Sequence, residues 1–550
     1  MSRLALVLFL LLDYPILQES AKILTLCLLG GSHYLLLDEV SHTFHQRGHE
    51  VQMLVQMGNP VIQGFEYVGR PNSYKITTWS TSESYIKEYN AWFLERQKDF
   101  LLGRDRFSDF LHFMGHLAYQ CDLILSDTGL MDSLRRENFD LAILDAFMPC
   151  TFLLAHSLGL RYVAFYPGSL SGPLTVSLPR PLSYVPVFNS QLSDRMGFWG
   201  RVKNVAWGLV SPVAERQIQD QFREVGERHF ATPPSLPELY SQAELWAFNT
   251  DFSLEFPQPL LPYTVCVGGM LSKPPAPVPQ ELEDFISDYS EVGFVVVTLG
   301  SMLSTVSQEH ILQEMNAGFA GVPYGVIWRY DPSRWPPHLQ PAPNIKLLKW
   351  LPQNDLLGHL KACLLVTHGG QNSLLQAVYH GVPVLGIPLF GDQFDNLVRA
   401  EVKGLGLVLK ATELKREVLS STIQRLIEDT RFKATATALS RIHQSQPLAP
   451  GPRLVHWVEH ILHSGGGSHL RPRSLQQPWY QRWLLDVALF LALVLLGILG
   501  LGALAVRCVC RTQKLKRRAG PNTTANEAQG HASLPGSPSL PLRPDWSQPH

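Results

Sequence analysis

The chain has little of what marks several large protein classes. Only seven cysteines occur in 550 residues, with no C-x-x-C pair and no zinc-ligand spacing. That argues against a disulfide framework and a zinc module, and it predicts buried thiols at Cys27, Cys121, Cys150, Cys266 and Cys363. Charge of one sign is missing too: 46 Lys and Arg stand against 47 Asp and Glu. No basic footprint is left for nucleic acid. No G-x-G-x-x-G follows the first predicted strand, which argues against a dinucleotide-dependent oxidoreductase. No DxD-like pair is placed to hold Mg²⁺ on a diphosphate, since neither Asp251-Phe252 nor Asp392-Gln393 supplies one. Neither a metal nor a resident cofactor is therefore expected. The only N-x-S/T acceptor, Asn522-Thr523-Thr524, falls in a polar tail, so no N-glycan is expected.

Long apolar runs are present at both ends. Arg3 is followed by an apolar stretch from Leu4 to Leu12, which reads as a secretory signal peptide over residues 1–21. Val487 to Val506 is uncharged and twenty residues long, enough to cross a bilayer. Arg507, Arg511, Lys514, Lys516, Arg517 and Arg518 follow it and place the tail, residues 507–550, in the cytosol. The expectation is a single-pass type I protein of the endoplasmic reticulum membrane with its body in the lumen. Cys508 and Cys510, just past the span, are candidates for acylation or remain free thiols. His42, His45 and His49 read as a helix surface and its turn, not a metal site.

Between these ends the pattern is α/β. Strands are predicted at Lys22–Leu29, Val51–Val55, Leu141–Leu144 and Tyr162–Phe165, with Leu37, Val40 and Phe44 at helical spacing after the first. Further strands are predicted at Phe294–Leu299, Val326–Trp328 and Ile345–Leu348. The proline-rich stretch 251–285 reads as a linker between a first domain, 22–250, and a second, 286–445. Residues 446–486 supply a returning helix and a juxtamembrane joint. Tyr67–Asp105 and Pro167–Trp199 read as irregular stretches lining an apolar pocket. Strand–helix alternation implies parallel sheets with ligands at the strand carboxyl ends.

The richest segment is Trp350 to Gln393. A buried strand, Cys363–Val366, runs into His368-Gly369-Gly370, and a helix starts near Asn372. A glycine turn at a helix N-terminus offers free N–H groups and the positive end of a dipole, which suits a phosphate. A second apolar run, Val382–Ile387, ends at Asp392-Gln393, an acid–amide pair suited to sugar hydroxyls. Phosphate and sugar grips this close together suggest a nucleotide-sugar.

With Trp350, Gln353, His368-Gly369-Gly370, Asn372, Ser373, Pro383, Pro388, Asp392 and Gln393 in place, the segment resembles the UDP-glycosyltransferase signature along its length. The phrases GGSHYLLLDEVS, LSYVPVF, FWGRVKN, AELW, VTLGSM and THGGQNS resemble the family 3 UDP-glycosyltransferases of animals. The resemblance covers roughly Lys22 to Val506. It implies a GT-B fold: two Rossmann-like domains facing a cleft, plus one C-terminal transmembrane helix.

A hydroxyl acceptor needs a base as it attacks the anomeric carbon. His33 follows the first strand and a Gly-Gly-Ser turn, and Asp145 ends another strand of the same sheet and could reach it. A carboxylate beside a histidine fixes its tautomer and stabilises the imidazolium. The resemblance puts the catalytic His and its Asp at these positions. It also implies that Trp350 stacks on or edges the uracil and that Gln353 lies beside the uridine. Ser301, His368, Gly370, Asn372 and Ser373 would hold the diphosphate, and Asp392 and Gln393 the donor sugar. Position 376, where the family carries Glu on the ribose, is Gln376 here, and Leu360 stands where the family has Pro. An amide still bonds a hydroxyl but loses a charge-assisted acceptor.

The reading is a metal-independent, inverting transfer of a sugar from a UDP-sugar to a hydroxyl of a small lipophilic acceptor, giving a β-glycoside and UDP. UDP-sugar is a co-substrate, and the membrane and a homo- or hetero-oligomer are the expected larger partners. The alternative is a catalytically weakened homologue that binds UDP-sugar or regulates an active partner.

Overall fold

The computed structural model describes residues 20–58, 74–170, 178–300, 306 and 308–520. Residues 1–19 of the expected signal peptide, Ser301 and the Asn522 acceptor lie outside the described residues. The chain divides into two compact units, Met1–Leu475 and Gln476–His550.

Among the described residues, the larger unit holds two parallel sheets. The first contains β1 (Lys22–Cys27), β2 (Glu50–Met57), β3 (Lys75–Ser80), β4 (Leu141–Asp145), β5 (Tyr162–Tyr166), β6 (Leu245–Phe248) and β7 (Thr264–Cys266). The second contains β8 (Phe294–Thr298), β9 (Gly325–Arg329), β10 (Ile345–Leu348), β11 (Ala362–Thr367), β12 (Val384–Gly386) and β13 (Gly406–Val408). Their orders are β3-β2-β1-β4-β5-β6-β7 and β10-β9-β8-β11-β12-β13. Both sheets are covered on two faces, so their central strands are apolar throughout rather than alternating. Leu24 and Leu26 of β1 join one core cluster, while Ile23 and Cys27 join the cluster on the other face. Val295 and Val297 of β8 divide from Phe294 and Val296 in the same way.

The two orders share one consequence. Strand order reverses between β1 and β4 in the first sheet and between β8 and β11 in the second. Such a switch point opens a crevice at the carboxyl ends of the strands. His33 and Asp145 follow and end the strands at the first switch point, and Gly300 and His368 follow those at the second.

Several expectations need correction. Tyr67–Asp105 is not an irregular stretch: beyond its undescribed residues 67–73 it forms β3 and a helix, Glu83–Leu101. The stretch expected to be a linker contains β7, the last strand of the first sheet, and a helix, Gln280–Ser287. Cys121 and Cys150 are not free thiols but a disulfide that joins the helix Phe107–Ser126 to the helix Pro149–Ser157, with Cα atoms 5.5 Å apart. Their pairing depends on how two helices meet, which the spacing of 29 residues does not reveal. His49 lies buried rather than on a surface turn: its Nδ1 accepts from Ala21 N at 3.2 Å, and its Nε2 lies 3.5 Å from Glu459. Glu459 belongs to the helix Pro450–His463, whose Leu454, Val455 and Val458 join a core cluster of the first sheet. The C-terminal segment of the larger unit thus returns to the first sheet.

The smaller unit is dominated by one helix, Leu485–Arg518, long and apolar enough to cross a membrane and with none of its residues buried. At about 1.5 Å per residue it outruns a bilayer core, so its basic last turns extend beyond the apolar span.

Candidate active site

At the first switch point the chain leaves β1 through Leu28-Leu29-Gly30-Gly31. Gly31 sits at φ +63°, a region resisted by any residue with a Cβ. That kink starts the helix Ser32–Gln46 with His33 in its first turn, and burial of Leu37, Val40 and Phe44 fixes the helix on the sheet. His33 Nδ1 lies 2.8 Å from Asp145 Oδ2. The other carboxylate oxygen accepts from Phe147 N at 3.1 Å, so Asp145 is held from both sides and is 1% exposed. The Phe147 ring packs edge-on against the imidazole at 5.2 Å. With Nδ1–H donated to the carboxylate, Nε2 is left with its lone pair, and the His33 side chain keeps 18% exposure. Such a geometry can fix the tautomer of a histidine and leave its other nitrogen to act as a base.

The second switch point carries different chemistry. Gly300, at φ +87°, follows β8, and His368-Gly369-Gly370 follows β11. A Cβ on Gly300 would stand 2.4 Å from His368 Nε2, and one on Gly370 would stand 2.7 Å from His368 Cε1. Only two bare backbones leave room for this imidazole. Burial, with help from the nearby Arg329 charge, lowers the His368 pKa to about 4, so the ring is neutral at ordinary pH. Gly370 caps the helix Gln371–His380 without a side-chain hydrogen bond, which leaves the first-turn N–H groups for an anion. Arg329 ends β9, donates to Gly300 O and stands 5.1 Å over the Trp350 ring.

The remaining residues expected on the donor side fall into two groups. Gln353 Nε2 donates to Ser373 Oγ at 3.1 Å and to Gln376 Oε1 at 2.7 Å, while Gln376 Nε2 donates to Leu271 O at 3.0 Å. Gln376 is therefore buried with its carbonyl and its amide both committed. Asn372 Oδ1 accepts from Asn249 Nδ2 at 2.8 Å, and Gln371 Nε2 donates to Thr250 Oγ1 at 3.2 Å, so the loop after β6 is tied to the helix after β11.

Asp392 and Gln393 form the second group. Asp392 Oδ2 accepts from Asn396 Nδ2 at 2.8 Å, and the same amide donates to Gly369 O at 3.0 Å. Gln393 Oε1 accepts from Leu389 N and Phe390 N at 2.9 and 3.1 Å, which leaves its amide nitrogen as the donor. Burial pushes the Asp392 carboxyl up; Asn396, Arg399 and His33 pull the other way. His33 lies within electrostatic reach of Asp392, and a Cβ on Gly168 of the first half would lie 3.8 Å from Asp392 Oδ2. The two switch points open onto one cleft. Ser301 lies outside the described residues.

Sequence reasoning missed Arg329, Asn249 and Thr250. Arg329 had a visible signal, a lone charge closing the apolar strand Val326–Trp328. The other two, polar residues at the end of a short strand, had none.

A family model described as "UDP-glucoronosyl and UDP-glucosyl transferase" matches residues 21–519. The chain is 46% identical over 506 residues to UDP-glucuronosyltransferase 3A1 of Bos taurus, covering 91% of this chain and 96% of that one. It is 45% identical to UDP-glucuronosyltransferase 3A2 of Homo sapiens, covering 89% and 94%. It is 34% identical to the Mus musculus 2-hydroxyacylsphingosine 1-beta-galactosyltransferase, covering 84% and 83%. Among solved structures, the glycotransferase of kitacinnamycin superposes with a TM-score of 0.56 at 15% identity, covering 81% of this chain and 99% of that one. The calicheamicin glycosyltransferase CalG4 gives 0.54 at 17% identity, covering 81% and 99%. These likenesses establish the GT-B fold. The chain belongs to the UDP-glycosyltransferase family, resembles its family 3 members, and is a glycosyltransferase that uses a UDP-sugar.

Proposed function

We propose that the chain transfers a sugar from a UDP-sugar to a hydroxyl of a small lipophilic acceptor, with inversion and without a metal, giving a β-glycoside and UDP. The observation that carries this reading is the 2.8 Å His33–Asp145 pair placed opposite Asp392. His33 Nε2 takes the acceptor proton as the oxygen attacks, and Asp145 stabilises the imidazolium that forms. UDP leaves toward the N-terminus of the helix Gln371–His380, whose N–H groups and dipole take up the growing negative charge on the diphosphate. Trp350, Gln353, Gln376, Ser301, His368, Gly370, Asn372 and Ser373 hold the UDP, and Asp392 and Gln393 hold the sugar. Attack from the face opposite UDP inverts the anomeric carbon.

A relative named for a 1-beta-galactosyl transfer to 2-hydroxyacylsphingosine supports both a lipid-like acceptor and a β product. The Cys121–Cys150 disulfide supports an oxidising lumen, and the helix Leu485–Arg518 supports a single span in the endoplasmic reticulum membrane. The test is a donor and acceptor panel on membranes carrying the full chain, with and without EDTA. Expected are UDP release, a β-configured product by NMR, and no loss on chelation. An α product or a strict metal requirement would overturn the mechanism.

The committed Gln376 favours one second reading, a weakened homologue that binds UDP-sugar or regulates an active partner. Intact UDP binding with no turnover on any donor would select it.

A further inference from the structure

We propose that Asp105, acting with Phe100, is a positioning residue for the donor sugar, so that the first half of the chain helps decide which UDP-sugar is used. The inference rests on the reading of Asp392 and Gln393 as the sugar grip.

The helix Glu83–Leu101 begins on the first half, capped by Ser82, whose Oγ accepts from Tyr85 N. Its far end leaves that half. Leu101, 2% exposed, belongs to a core cluster made otherwise of second-half residues. The Phe100 ring lies 4.7 Å from the Phe390 ring. Gly103, at φ +68°, then reverses the chain, with Gly103 N donating to Phe100 O at 3.0 Å and Arg104 N to Asp99 O at 2.9 Å. The reversal delivers Asp105 to the sugar loop, where its Oδ2 accepts from Gly391 N at 3.2 Å.

Gly391 itself sits at φ +62°, and a Cβ there would meet nothing within 4 Å. Its glycine is therefore required by backbone conformation, not by space. That conformation fixes the angle between Phe390 and Asp392, and the bond to Asp105 holds it.

The segment is pinned again one turn later. Asp395 accepts from Asn189 N and, at 2.9 Å, from Gln191 N. Both donors are non-glycine residues at positive φ, 64° and 53°. Strain of that kind persists only where surrounding contacts impose it. Residues 390–395 are thus gripped by the first half at both ends, with Asp392 and Gln393 between. A shift of the loop by a fraction of an ångström would move the sugar hydroxyl contacts more than the diphosphate cradle, which follows β8, β9 and β11 and meets the loop through the Asn396 amide on Asp392 and Gly369 O.

The test uses the full chain and two variants. Asp105→Ala removes the acceptor of a charge-assisted bond and is expected to raise the KM for UDP-sugar about tenfold, and to flatten discrimination between UDP-sugars. Affinity for UDP alone should not change. Asp105→Asn keeps a carbonyl that accepts from Gly391 N, and its donor KM and selectivity should stay near those of the native chain. An unchanged donor KM and selectivity in Asp105→Ala would overturn the inference. So would a variant that weakens UDP as much as UDP-sugar, which marks general damage. Asp392→Asn separates the underlying reading: if transfer and donor KM survive that change, the sugar grip itself is misassigned, whatever Asp105 does.

Discussion

The same strand order builds both switch points, yet they carry opposite chemistry. The first joins a histidine to a carboxylate at 2.8 Å and leaves the imidazole partly open. The second surrounds a histidine with glycine backbone and the charge of Arg329, with its pKa held at about 4. One histidine faces a carboxylate; the other is kept neutral by burial and shapes a turn. The lesson is that strand order decides where a site forms, and the residues at the strand ends decide what it does.

If that division is right, removing the base should hurt chemistry and spare binding. His33→Ala is expected to lower kcat about 10³-fold, with UDP affinity unchanged by calorimetry. Asp145→Asn should cost about 10²-fold, because the bonded imidazole loses the partner that stabilises its charged form. Retention of most activity by His33→Ala would break the comparison at its first term.

The converse change belongs at the second switch point. Gly300→Ala puts a Cβ 2.4 Å from His368 Nε2 at a backbone φ of +87°. The expected cost is about 3 kcal/mol in stability from strain and overlap, together with weak UDP binding. The bond between His33 and Asp145 should survive, seen as an unaltered downfield Nδ1 proton in NMR. Normal UDP affinity in Gly300→Ala would show that the glycine cradle is not the diphosphate site.

Acidification sharpens the contrast. His368 has a folded pKa of about 4 against an ordinary 6.5, so its contribution is present above pH 6.5 and is lost as pH falls toward 4. Between pH 7 and 5 that amounts to about 2 kcal/mol. Glu215, on the first half's long helix Phe198–His229, runs the other way. Burial raises its carboxyl from 4.5 to about 7, so its stabilising contribution is present below pH 4.5 and is lost as pH rises through 7. Thermal melts of His368→Gln should lose part of the acid destabilisation, and melts of Glu215→Gln should deepen it. Equal pH slopes in both variants and the native chain would refute these assignments.

Much of this was legible in the sequence because it rests on local pattern. Apolar runs gave Ile345–Leu348 to the residue and the remaining predicted strands within a residue or two. Glycine turns marked both switch points. What was not legible depends on distant partners. Asp105 and Asp395 look like ordinary surface acids in the sequence, and only folding sets them against backbone N–H groups of the opposite half. The Cys121–Cys150 bridge and β7, inside a proline-rich stretch, were hidden for the same reason.

The smallest effect falls on Gln376, where the resemblance leads one to expect a glutamate that would tighten the donor. The fold adds a condition. Gln376 Nε2 donates to Leu271 O at 3.0 Å, and a carboxylate cannot. Gln376→Glu should therefore lower the stability of the free protein by about 1 kcal/mol, since the Leu271 carbonyl loses its donor. The same carboxylate, still beside Gln353 Nε2, becomes a stronger acceptor for ribose hydroxyls. Melting with and without UDP separates the two effects: the free midpoint should fall while the UDP-induced rise grows. A fall with no larger UDP response would mean that position 376 serves the contact with Leu271 and not the ribose. Gln376 would then be a device for holding the halves together, not for choosing a donor.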